Sequence, residues 1–112
     1  MRQAEIYRKG ILAGILSEDG GEYRFCYEPD YITREDAQPI SLTLPLQTEP
    51  FVSPVLFPFF DGLIPEGWLL DVVLRNTDIS ILDRMSLLLT CCKECIGSVS
   101  VIPIHNEGKS NE

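Results

Sequence analysis

Basic residues are scarce in this chain: 9 Lys and Arg stand against 17 Asp and Glu, a formal net charge of −8. Phosphate contacts require clustered cations, so direct nucleic-acid binding is disfavoured. A protein partner with a basic cleft fits better, although solubility alone also accounts for such charge. Long apolar runs are missing as well. No stretch approaches the roughly 18 residues of a membrane helix, and the opening Met1-Arg2-Gln3-Ala4-Glu5 is not a signal core. The expectation is a soluble cytoplasmic protein without a membrane or direct nucleic-acid partner. There is one histidine, His105, and one tryptophan, Trp68. Of four cysteines, Cys26 stands apart, while Cys91, Cys92 and Cys95 crowd together, unlike the dispersed spacing of a secreted disulfide framework. Reduced thiols follow.

What is present is ordinary globular material. The 112 residues are 45% hydrophobic and 23% charged, enough for one domain with its own core. Gln3 to Tyr7 reads as a short strand, Arg8-Lys9-Gly10 as a turn, and Ile11 to Leu16 as a second strand. Asp19-Gly20-Gly21 is a strong turn signal, because glycine accepts positive φ at little steric cost. Tyr23, Phe25 and Tyr27 alternate with Arg24 and Cys26, the period of a half-buried strand. Tyr31 to Gln38 reads as loop with a helical turn. Ile40, Leu42 and Leu44 alternate with Ser41 and Thr43, which predicts another strand, closed by Pro45.

The middle of the chain turns helical. Ser53-Pro54 can cap and open a helix over Val55 to Phe60. Pro65-Glu66 can open a second, running to Asn76, with Leu69, Leu70, Val73 and Leu74 on one face. Asp78 or Ser80 can cap a third, from Ile79 to Thr90, with Ile81, Leu82, Met85, Leu88 and Leu89 on its core side. Ile96 to Ile104 is the last strand, and residues 105–112 have little to bury and read as a mobile tail. The predicted class is α+β: a small, mostly antiparallel sheet or partly open barrel of about five strands, with two or three helices inserted before the last strand. Residues 1–104 form the domain.

Three stretches sharpen this. Pro39-Ile40-Ser41-Leu42-Thr43-Leu44-Pro45-Leu46 resembles a "PLSLSLPL" segment. Phe59-Phe60-Asp61-Gly62-Leu63-Ile64-Pro65-Glu66-Gly67 resembles "FFDNLLPEG". Cys95-Ile96-Gly97-Ser98-Val99-Ser100-Val101-Ile102-Pro103 resembles "D-x-x-GAVSVIP". In this order they resemble the landmarks of the N-terminal subdomain of HipA-type toxin kinases, over residues 4–104. No glycine-rich phosphate loop with a following lysine, and no catalytic Asp–Asn loop, is found in the chain. The resemblance therefore implies a non-enzyme, similar to the stand-alone subdomain of split toxin–antitoxin systems. It implies an antitoxin that binds and inhibits a separate HipA-like serine/threonine kinase, alongside a helix-turn-helix DNA-binding protein. The alternative is a structural lobe that completes the kinase or links it to that repressor without inhibiting it.

The partner-binding candidates are Trp68, Gly67, Glu66, Asp61 and Asp71. Trp68 falls away from the apolar stripe of the second helix, near Asp71, Val72 and Arg75, and tryptophan is enriched at interface hot spots. Gly67 would let a backbone approach closely, and the three carboxylates could meet basic groups. Against this, Trp68 could pack on Phe57 or Phe60, Asp61 could simply end a helix, and Glu66 could favour the positive end of the next one. Catalytic and metal residues are not expected. Cys92-Lys93-Glu94-Cys95 is one lone C-x-x-C where a structural zinc wants four ligands, and it follows a helix instead of opening one. Ser41, Thr43, Ser98 and Ser100 lack a histidine base nearby in sequence. No cofactor is implied.

Overall fold

A computed structural model describes residues 1–64, 68–91 and 99–104, apart from the side chains of Trp68, Leu69 and Cys91. Two tight hairpins start the fold. β1 (Arg2–Arg8) turns through Lys9 and Gly10 into β2 (Ile11–Asp19), and β2 turns through Gly20 and Gly21 into β3 (Glu22–Tyr27). All four turn residues have positive φ, from 52° to 86°, the geometry that matches the right-handed twist of paired strands. Lys9 is the one non-glycine among them.

α1 (Pro29–Ile32) follows, then β4 (Phe51–Ser53), α2 (Pro58–Asp61), α3 (Trp68–Asn76), α4 (Arg84–Cys91) and β5 (Val99–Ile104). The five strands form one open antiparallel sheet in the order β4-β3-β2-β1-β5. Here the last described strand lies beside the first, Ile6 opposite Val101. A bulge follows Ile6: Ile6 pairs with Gly14 but Tyr7 pairs with Leu12. The extra residue, Ala13, keeps its side chain buried.

One face of the sheet supplies Ala4, Ile6, Leu16, Phe25, Tyr27, Val99 and Val101 to the core. The helices cover that face with Phe57, Phe60, Met85, Leu87 and Leu88. Phe25 is the hub of the aromatic packing. Its ring lies 4.9 Å edge-on from Tyr27 and 5.6 Å from Phe60. Gly14 permits this, because a Cβ there would sit 2.5 Å from the Cys26 carbonyl oxygen and 2.8 Å from the Phe25 ring.

Several local expectations are corrected. Ile40 to Leu44 is not a strand but a tight turn closed by a Ser41–Leu44 bridge. Ile40 and Leu44 are buried, while Leu42 is 97% exposed. The Tyr27 hydroxyl accepts from Ile40 N–H at 3.0 Å and donates to the Leu44 carbonyl. It thus clamps both ends of the turn from the strand below. The fourth strand is instead Phe51–Ser53, which pairs with β3 at Phe25 and Tyr23. Ser53 therefore does not cap a helix at Val55; that helix starts three residues later, with Pro58 at its first position.

The predicted third helix also begins late. Asp83 caps α4, accepting from Ser86 N–H at 3.2 Å. Residues 80–83 form a turn, with Asp83 N–H donating to Ser80 O at 3.0 Å. Ile81 and Leu82 thus leave the core side to which periodicity assigned them, and Leu82 is 85% exposed. Met85, Leu87 and Leu88 are fully buried.

Candidate partner-docking surface

The candidate residues fall around α2 and α3. α2 ends at Asp61, where the chain enters Gly62 and Leu63. Arg84, at the start of α4, donates from Nε to Asp61 Oδ1 at 2.7 Å and from Nη1 to the Ile81 carbonyl at 3.1 Å. One arginine thus fixes the end of α2 to the start of α4, the two points between which α3 is strung. Both side chains remain partly solvated, 32% and 42% exposed, so the pair contributes modestly to stability, on the order of 1 kcal/mol or less.

α3 is amphipathic as periodicity predicts. Leu70, Val73 and Leu74 pack on the core, while Asp71, Val72, Arg75 and Asn76 are exposed. Asp71 in the first turn and Arg75 in the last suit the helix dipole. The helix is closed by side chains: Asn76 Nδ2 donates to Val72 O at 2.7 Å and Thr77 Oγ1 to Val73 O at 2.8 Å.

The exposed positions 71, 72 and 75 lie three, four and seven residues after Trp68, the spacing of one helical face. Trp68 itself is the first residue of α3. Glu66 and Gly67 lie outside the described residues, as do Cys92, Cys95, Ser98 and His105. Of the five candidates, Asp71 thus stands on an open helix face, and Asp61 gives one oxygen to Arg84. Sequence reasoning missed that pairing: Arg84 is 23 positions away and carries no local signal that it reaches back to α2.

Among the described residues no charged side chain is buried. Cys26 is a half-buried free thiol on β3. No described helix is long and apolar enough to cross a membrane.

Three comparisons bear on this chain. Residues 4–102 match the family model described as the HipA N-terminal domain. A solved structure titled the N-terminal domain of HipA toxin superposes with a TM-score of 0.74 at 32% identity, over 95% of both chains. An uncharacterized protein of Haemophilus influenzae is 34% identical over 101 residues, covering 90% of this chain and 92% of its own length. The putative kinase Y4mE of Sinorhizobium fredii is 27% identical over 108 residues. That match takes 96% of this chain but only 26% of Y4mE, so the chain spans about a quarter of that relative.

Proposed function

The chain belongs to the HipA N-terminal domain family, and from that premise we propose that it is a non-catalytic subunit that docks on a separate HipA-like serine/threonine kinase and holds it inactive, as an antitoxin does. The observation that carries this reading is which module the chain matches: residues 4–102 fit the HipA N-terminal domain. What a putative kinase has as about a quarter of its length occupies 96% of this chain. The matched residues carry neither a glycine-rich phosphate loop with a following lysine nor a catalytic Asp–Asn loop, the parts that phosphoryl transfer needs.

In this reading the contact is made by the start of α3. Trp68 is the anchor, with Gly67 allowing close approach and Glu66, Asp71 and the free oxygen of Asp61 meeting basic groups of the kinase. The exposed stripe of Asp71, Val72 and Arg75 supports this, since it offers a mixed apolar and charged surface in the register of Trp68. A helix-turn-helix DNA-binding protein would be a second partner.

The test is co-expression with a HipA-like kinase that lacks this module, followed by co-purification and a kinase assay. Wild type should co-purify and suppress phosphorylation. Trp68→Ala should weaken binding by about 2 kcal/mol or more, the magnitude of an interface hot spot, while the isolated variant keeps its fold by circular dichroism. A complex with unchanged or raised kinase activity would replace inhibition by a structural role.

A further inference from the structure

A cavity opens beside α1, lined by none of the residues of the α2–α3 surface. It measures about 240 Å³ and is lined by Ile11, Leu12, Glu28, Asp30, Tyr31 and Arg34. That is below the roughly 300–1,000 Å³ of small-molecule and cofactor sites, so its size fits one side chain. Its walls are firmly held. Glu28 N–H donates to the Ala13 carbonyl at 2.8 Å, binding the start of α1 to β2. Tyr31 is 3% exposed, donates from its hydroxyl to Gln38 O at 2.5 Å, and lies with its ring parallel to that of Tyr27.

The charges at the rim are unequal in what they are already doing. Arg34 is engaged: Nε and Nη2 donate to the two Asp36 oxygens at 3.0 and 3.3 Å. The carboxylates of Glu28 and Asp30 make no hydrogen bond or ion pair among the described residues, and Glu28 does not use its side chain to cap α1. The rim therefore presents two uncompensated negative charges over an apolar floor.

We propose that this cavity receives one arginine side chain of a partner polypeptide. Its stem lies along Ile11, Leu12 and Tyr31, and its guanidinium bridges Glu28 and Asp30. Arginine fits because its apolar stem and planar, forked cation match an apolar floor with two acceptors at the edge. The occupant is a protein group, and the site is separate from the α2–α3 surface; it stands or falls without the kinase.

The test is a titration of the full chain, labelled with ¹⁵N, with N-acetyl-arginine methylamide. The expected result is saturable shifts confined to the amides of Ile11, Leu12, Glu28, Asp30 and Tyr31. The citrulline analogue, equal in shape but uncharged, should produce far smaller ones. Glu28→Gln or Asp30→Asn should each weaken binding about threefold, and both together about tenfold, as expected for solvated ion pairs. Should Glu28→Gln disturb the fold, Asp30→Asn and the loss of binding in high salt carry the same test. Equal shifts from citrulline, no saturable shifts, or stronger shifts from N-acetyl-aspartate methylamide through Arg34 would each overturn the proposal. So would shifts at the same amides on raising protein concentration alone, which would make a second copy the occupant.

Discussion

Arg2 and Asp83, 81 positions apart, meet at 2.9 Å from Nη1 to Oδ1. Arg2 also donates from Nε to Glu18 at 3.0 Å and from Nη1 to the Ser86 hydroxyl at 2.5 Å. One guanidinium near the start of β1 thus holds the β1–β2 pair to the cap of α4, joining the beginning of the chain to a helix 81 positions on.

This junction makes stability depend on acid. Burial pushes the Asp83 carboxyl up, but hydrogen bonds from Ser86 and Arg2 outweigh it and hold the group below its ordinary value. A carboxyl lowered by folding stabilises the native state above its unfolded pKa of about 3.9, and that contribution disappears as pH falls through the folded value. Urea midpoints from pH 7 to pH 2.5 should therefore fall steeply below about pH 4 for wild type. They should fall less for Asp83→Asn, which starts from a lower stability. Equal slopes would show that the cap does not titrate with folding. Asp83→Ala at pH 7 should cost about 1–2 kcal/mol, through the lost cap and the lost ion pair.

Tyr27→Phe removes one oxygen and strands two backbone groups. The Ile40 N–H and the Leu44 carbonyl both turn to that hydroxyl in the interior. Leaving a buried donor unpaired costs about 1–3 kcal/mol. Chemical denaturation should show that loss, and amide exchange should show the Ile40 N–H losing protection. Unchanged stability would mean that water reaches the turn.

Gly14→Ala is expected to destabilise even though alanine is ordinarily tolerated in a strand. The new methyl would meet backbone, the Cys26 carbonyl oxygen at 2.5 Å, and the edge of the Phe25 ring. Overpacking of this kind costs about 1–3 kcal/mol. Because the ring is the centre of the aromatic cluster, near-ultraviolet circular dichroism should change together with the melting temperature.

Leu82 and Leu88 differ in the fold while looking alike on a helical wheel. Leu88→Ala should cost about 2–5 kcal/mol, as a deleted core side chain does. Leu82→Ser should stay within about 0.5 kcal/mol of wild type, as a surface change does. A large loss at Leu82 would restore the helix starting at Ile79.

The elements legible in the sequence are those whose cause is local. Gly20-Gly21 had to turn because glycine tolerates positive φ, and both residues have it. Tyr23, Phe25 and Tyr27 had to share a face because strand side chains alternate, and they line the core together. The inner face of α3 follows in the same way from the spacing of Leu70, Val73 and Leu74. Together with the three motifs, this made the family and the α+β class readable.

Of the proposed docking surface, sequence supplied the exposed face of α3 at Asp71 and Val72 but not the state of Asp61. Its carboxylate is partly engaged by Arg84, from a helix whose start was itself misplaced.

What tertiary structure alone decided were the places where two local solutions cost nearly the same. Asp78, Ser80 and Asp83 are all good caps by residue type. Asp83 is the cap in the fold because Arg2 arrives from the far end of the sequence to hold it. Alternation over Ile40 to Leu44 fits a strand or a turn with both ends buried. The Tyr27 hydroxyl decides for the turn by satisfying both of its ends, and leaves Leu42 in solvent. Sequence periodicity fixes which side chains share a face. Which backbone groups are satisfied, and by whom, depends on partners that only the folded chain brings within hydrogen-bond reach.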